Sequence, residues 1–242
     1  MKKINLKKTV VLALAAITAA LAVNVNIFAE TQALVNSGIE SVQLDRLEQY
    51  EIIHGCGDGN FYPERLITRA EMAQILLNIQ IPDIMSVLSE RDISGLKRYS
   101  DVPETHWAAK SIGIMDAYQS LSDYMDYADG YPDGTFKPDN NMTYAEVIKI
   151  LVSIPGYKPY AEVNGGNPDG YLMWADKLGI TNGLEFNPAD SATRGDTAVM
   201  INNMLDVPIL MMESFSAKDG SVTYTTEDGY TFEKWRYESE ED

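Results

Sequence analysis

The chain has 242 residues, 45% of them hydrophobic, with 36 acidic against 19 basic side chains and a formal charge of −17. Nucleic acid and anionic membrane surfaces both demand basic patches, so a balance this acidic argues against either as a partner. A single cysteine, Cys56, excludes an intramolecular disulfide framework and leaves a small buried or loop thiol, or an intermolecular crosslink.

The first eight residues, MKKINLKK, are basic, and the apolar run Thr9–Val23 that follows is 15 residues long. A membrane-spanning helix needs roughly 20. With Ala29 as a small residue at a cleavage point, and Ala22 as the alternative, residues 1–29 read as a signal peptide of an exported protein. Its removal takes four lysines and no acid, so the formal charge falls to −21 and no membrane association is expected afterwards. What remains is long enough to bury a sizeable core without disulfides.

From residue 57 the chain repeats itself. GDGNFYPERLITRAE (57–71) overlies PDGTFKPDNNMTYAE (132–146) at a constant offset of 75, placing Phe61 on Phe136, Pro63 on Pro138, Thr68 on Thr143 and Glu71 on Glu146. A further 50 residues on, LEFNPADSATRGD (184–196) gives the pattern again with a shorter loop that has lost its Asp-Gly. Each copy continues as a helix with apolar residues at i, i+3, i+4 and i+7: Met72, Ile75, Leu76 and Ile79; Val147, Ile150, Leu151 and Ile154; Thr197, Met200, Ile201 and Met204. No unit is large enough to bury its own stripe, so the three are expected to fold together.

A shorter helical segment precedes each loop: LDRLEQYEIIHG, HWAAKSIGIMDAYQSL and YLMWADKLGITNG. The expected units are therefore 30–80, 99–154 and 155–205. An inserted helix and linker fills 81–98, SDYMDYAD (122–129) lengthens the second unit, and the Pro/Gly-rich stretch 155–170 connects to the third. Residues 206–242 read as a C-terminal β-hairpin, turning at the Glu-Asp-Gly of 227–229, and an acidic tail. An isolated hairpin is marginal in water, so this one must lean on the helical body or on a partner.

The order YSDVPETHWA, short helix, GYPDGTFKPDNNMTYAE, amphipathic helix resembles the S-layer homology (SLH) repeat, and Ile67–Glu71 (ITRAE) matches that family's signature. The resemblance covers roughly residues 44–205. It implies a mainly α fold in which three repeats form a pseudo-threefold helical spindle with grooves between lobes. It also implies non-covalent attachment to the bacterial wall, through a peptidoglycan-linked secondary cell-wall polysaccharide that often bears a pyruvate ketal.

Thr68 and Glu71, like Thr143 and Glu146, have the spacing of a capping box, with Thr193 and Asp196 as a shorter variant. Arg69 and Arg194 are harder to explain, because the macrodipole disfavours a cation at a first helical position. Beside free helix N–H groups they would form an anion pocket suited to a ketal carboxylate; the alternative is an ion pair with a nearby acid. Tyr144 replaces the arginine in the second copy and can stack or hydrogen-bond but cannot neutralise a carboxylate. Gly57, Gly59, Gly130 and Gly134 are expected to permit turns with positive φ and to let backbone approach a sugar. Phe61, Phe136 and Phe186 read as core plugs. Trp107 is the aromatic candidate for a sugar contact, against a packing role. Asp101 is either a turn cap or a hydroxyl acceptor in a groove.

DGYPDGTFKPDN superficially resembles a calcium loop, but Tyr131 and Asn140 stand where liganding oxygens are needed, so no metal is expected. Two histidines in different copies, His54 and His106, and no nucleophile or zinc motif argue against an enzyme, and no cofactor is implied. Two readings of function stand: wall anchoring through the polysaccharide, and an exported protein-interaction scaffold or surface-array component that keeps the fold without glycan binding and contacts other surface proteins.

Overall fold

The computed structural model describes residues 41–81, 96, 99–119, 130–215, 222–226 and 230–233. The signal segment, nearly all of the 81–98 insertion, SDYMDYAD and the acidic tail lie outside them. The described chain is mainly helical: α1 (Ser41–Gln49), α2 (Arg69–Gln80), α3 (Ala109–Gln119), α4 (Tyr144–Ser153), α5 (Lys158–Val163), α6 (Asp169–Lys177) and α7 (Arg194–Leu205), then strands β1 (Met211–Phe215) and β2 (Val222–Thr225). None of these helices is long and apolar enough to cross a membrane.

The three long helices α2, α4 and α7 start alike. Thr68, Thr143 and Thr193 are extended N-caps whose hydroxyls accept from the backbone N–H of Glu71, Glu146 and Asp196. In the first two, the glutamate reaches back to the cap's own N–H, completing a capping box. Each helix still has two orphan amides at its start, and these are satisfied by the loop of another unit. Arg69 and Ala70 donate to Asn140 O and Pro138 O, Tyr144 and Ala145 to Asp190 O and Pro188 O, and Arg194 and Gly195 to Arg65 O and Pro63 O. The residues preceding the caps close a triangle: Ile67 N–H donates to Ala192 O, Ala192 N–H to Met142 O and Met142 N–H to Ile67 O, at 2.8–3.0 Å. All three side chains are buried, so this triangle lies inside the core.

Helix packing follows the same cycle. The long helix of one unit docks on the short helix of the next: α2 on α3, α4 on α6 and α7 on α1, with α7 also touching α4. The apolar stripes are buried as expected, apart from half-buried Ile154. Burial exceeds a stripe, however. In α2, Ala70, Ala73 and Leu77 are buried as well, and α7 is buried on most sides, because each long helix is packed from several directions at once.

Three local expectations need correction. The Pro/Gly-rich connection contains the short helix α5. A hairpin pairs Met211–Phe215 with Val222–Thr225, ahead of the expected turn at 227–229, which itself lies outside the described residues. Positive φ occurs at Gly59 and Gly134 but not at Gly57 or Gly130. Gly130 is needed for space: a Cβ there would fall 2.0 Å from the Tyr99 ring.

Gly130→Ala should therefore lower stability in urea unfolding by about 1–3 kcal/mol, the range for overpacking. Gly57→Ala, whose Cβ would meet nothing, should change it by less than about 0.5 kcal/mol.

Candidate functional site

Because each helix start docks on the next unit's loop, its first residue reaches across the junction. Arg194 of the third unit crosses to the first: Nε donates to Phe61 O (3.1 Å), Nη2 to His54 O (3.1 Å) and Nη1 to Glu71 Oε1 (3.2 Å). Its guanidinium lies 5.1 Å above the Phe61 ring, and the residue is 6% exposed. Arg69 of the first unit makes the equivalent bond to the second, Nε to Phe136 O at 2.9 Å, with its guanidinium above the Phe136 and Tyr131 rings. Tyr144 of the second unit crosses to the third, stacking on Phe186 at 4.7 Å and donating its hydroxyl to Asp196. The residue after the N-cap thus reaches the capping carboxylate of the next unit in two junctions, as Arg194 to Glu71 and as Tyr144 to Asp196.

This places the arginines differently from the sequence expectation. The first two amides of α2 and α7 are spent on neighbouring carbonyls and the third on the capping threonine, so no free helix N–H groups flank either arginine. Arg194 realises the ion-pair alternative. Burial, and then the Arg65 charge, lower its pKa from the usual arginine range. Asp101 acts as a loop cap, its two oxygens accepting from Phe136 N–H (2.8 Å) and Lys137 N–H (2.7 Å). The Phe136–Lys137 peptide is therefore held from both sides, by Asp101 and Arg69. Gly134, at φ +81°, makes the preceding turn. Phe61 and Phe136 are buried plugs, whereas Phe186 is half-buried beneath Tyr144.

At the first junction the walls enclose a cavity of about 430 Å³, lined from all three units. The first unit supplies the loop from Ile52 to Gly57, Arg65, Glu71, Gln74 and Asn78; the second supplies Trp107 and the third Arg194. Arg65 also pairs with Glu71, so two guanidiniums share one carboxylate and leave a net positive charge in a strongly acidic protein. Gln74 Nε2 donates to Asn78 Oδ1 (2.8 Å) and accepts at Oε1 from the Ser111 hydroxyl. Trp107 is 60% exposed and stacks on His106, so it is a surface platform rather than a packing residue. Cys56 is a free, half-buried thiol in the same wall.

Of the residues expected at a site, Arg194, Glu71 and Trp107 share this cavity, with Thr68 behind Glu71. Gly59 shapes the adjacent loop. Arg69, Gly134 and Asp101 belong to the second junction and Tyr144 to the third. Sequence reasoning missed Arg65, Gln74 and Asn78. The signal for the last two was available, as polar residues at i and i+4 between the apolar positions of α2. No group of three or more metal-ligating side chains occurs among the described residues.

Two outcomes follow. Arg194→Ala strands the Phe61 and His54 carbonyls and removes one of the two guanidiniums on Glu71, and should cost about 2–4 kcal/mol in denaturant unfolding. Burial, and then the bond to Asp196, push the Tyr144 hydroxyl up to about 12 from an ordinary 10.0. Ionisation is therefore harder folded than unfolded, so the stabilisation is complete below pH 10 and lost as pH rises from about 10 to 12. Unfolding midpoints across that window should fall less steeply in Tyr144→Phe, with a residual slope carried by Tyr50, also pushed up to about 12, by Tyr157, raised by burial, and by Tyr62, raised by its bond to Asp58.

The family model described as the S-layer homology domain matches residues 44–73 and 125–148. The chain is 30% identical over 170 residues to the middle cell wall protein of Brevibacillus brevis, covering 70% of this chain and 15% of that protein. It is 32% identical over 179 residues to cell surface glycoprotein 1 of Acetivibrio thermocellus, covering 66% and 7% respectively. Against the cellulosome-anchoring protein of the same organism it is 29% identical over 173 residues, covering 66% and 36%. The matches thus span a minor part of each relative's length. Signature, family model and relatives agree: the chain belongs to the S-layer homology domain family.

Proposed function

We propose that this protein is a non-catalytic, cell-surface module that attaches to the wall by binding a secondary cell-wall polysaccharide linked to peptidoglycan. The observation that carries this reading is the cavity where Arg194, Arg65, the Gln74 and Asn78 amides and the exposed Trp107 indole face one space. Planar donors, paired amides and an aromatic platform are the chemistry that a sugar ring with a pendant carboxylate requires. A pyruvate ketal supplies that carboxylate, and the net positive charge of the Arg65–Glu71–Arg194 group offsets the repulsion of the acidic surface. The relatives named for the cell wall, the cell surface and anchoring are of a structural kind, in keeping with a protein that holds rather than transforms its ligand.

A scaffold without glycan binding has one observation in its favour. Tyr144 stacked on Phe186 and bonded to Asp196 occupies at the third junction the position that Arg194 takes at the first.

Co-sedimentation with purified wall sacculi, before and after chemical removal of the non-peptidoglycan polysaccharide, separates the two. Anchoring predicts binding that stripping abolishes and that weakens as salt rises. Trp107→Ala, at an exposed position, should leave the fold intact and weaken binding about tenfold, the loss of one aromatic contact of about 1.4 kcal/mol. A folded protein that ignores intact walls makes the scaffold reading the correct one.

A further inference from the structure

We infer that residues 230–233, which lie after the last repeat, are a clasp that closes the ring of units and positions the walls of the Trp107–Arg194 cavity; the link to ligand rests on the reading of that cavity as the polymer site. Two of the three unit interfaces, α2 on α3 and α4 on α6, join units that follow one another along the chain. The third, α7 on α1, joins the last unit to the first across most of the repeat region, so chain connectivity does least to hold it. The clasp sits on that seam. Phe232 is 2% exposed and donates its N–H to Val207 O, Ile209 N–H donates to Tyr230 O, and Pro208 bridges Thr231, which fixes the segment to the end of α7. Glu233 then reaches α1: Arg46 donates to it from Nε (2.9 Å) and Nη2 (2.5 Å), and Tyr50 from its hydroxyl (2.6 Å). Arg46 also binds Asp206 Oδ1 at 2.8 Å and Asn202 Oδ1 at 3.1 Å on the α7 side.

The same seam runs into the cavity. Tyr50 is two residues before Ile52, where the cavity wall begins, and Arg194, at the start of α7, donates to His54 O on that wall. One end of the α1–α7 interface is stitched by Arg46, Tyr50 and Glu233, and the other carries the site. Arg46, Phe232 and Glu233 are positioning residues: they touch no ligand, and loosening them lets the 52–57 wall move away from Arg194.

The test uses the full-length protein carrying Glu233→Gln or Phe232→Ala, with Thr143→Ala as a control that removes a helix cap away from the seam. Two quantities are read far below the melting temperature: the rate at which a small aromatic disulfide reagent titrates Cys56, and co-sedimentation with purified wall sacculi. The clasp variants should titrate Cys56 at least about tenfold faster and bind sacculi correspondingly more weakly, while Thr143→Ala stays within about twofold of the unaltered protein in both. Equal Cys56 rates in Glu233→Gln and Thr143→Ala overturn the clasp. Faster titration with undiminished sedimentation overturns its link to the polymer site. Failure of the unaltered protein to sediment defeats the anchoring reading, and the Cys56 rates then still decide the clasp.

Discussion

The structure depends on a closed triangle of backbone hydrogen bonds in which Ile67 donates to Ala192, Ala192 to Met142 and Met142 to Ile67. Such a cycle has no end at which to fray, and none of its bonds lies within a single unit. Two further layers link the same three units in the opposite sense, at the first and second amides of α2, α4 and α7. A helix start is ordinarily a set of donors looking for water. Here those donors are the joints, and a unit alone would leave them unsatisfied beside its uncovered apolar helix. Folding and assembly of the units are therefore one event, and the structural lobe is the long helix of one repeat with the loop and short helix of the next.

The same constraint explains a cation at a helix N-terminus. The macrodipole there opposes Arg69 and Arg194 by about 0.3–1 kcal/mol. Against that, each guanidinium donates from Nε to a phenylalanine carbonyl of the adjacent loop and lies over that phenylalanine's ring. Bonds from a charged donor contribute about 1.5–3 kcal/mol, so the dipole loses. The arginine is first a strut between units. At the first junction, where Arg65 adds a second guanidinium and Trp107 a platform, the strut also faces a cavity. A tyrosine serves as the strut at the third junction, where its ring stacks on Phe186 and its hydroxyl reaches Asp196 without a charge.

That distinction marks where the sequence could be read and where it could not. The capping boxes, apolar stripes and repeat offset are local or periodic signals, and each element appears where they place it. The ring closure is non-local: nothing in the spacing of Arg69 or Arg194 says that their amides find carbonyls at Asn140 and Arg65. Expecting free N–H groups beside the arginines followed from treating each helix start as an isolated terminus. The four loop glycines show the same split. Gly59 and Gly134 take the left-handed turn their motif implies, whereas Gly130 answers to a ring from another segment, Tyr99, that spacing cannot reveal. Trp107 could be named as an aromatic candidate, but its place opposite Arg194 comes only from the cyclic order of the units.

Degeneracy of the third copy's motif is then compatible with an unbroken set of backbone bonds. Its loop has lost the Asp-Gly turn and its cap has only half the reciprocal bond, yet Asp190 O, Pro188 O and Ala192 still take their places in the three layers. What the layers demand is backbone, which every residue supplies, together with a cap and a buried side chain at the triangle. What a site demands is a particular set of side chains at one junction. Selection on architecture therefore leaves the three junctions free to differ in chemistry, and they do: an arginine pair with an exposed indole at the first, a clamped peptide under Arg69 at the second, and a stacked tyrosine at the third. A single cavity assembled from all three units needs one favourable junction, and the closed ring supplies its walls.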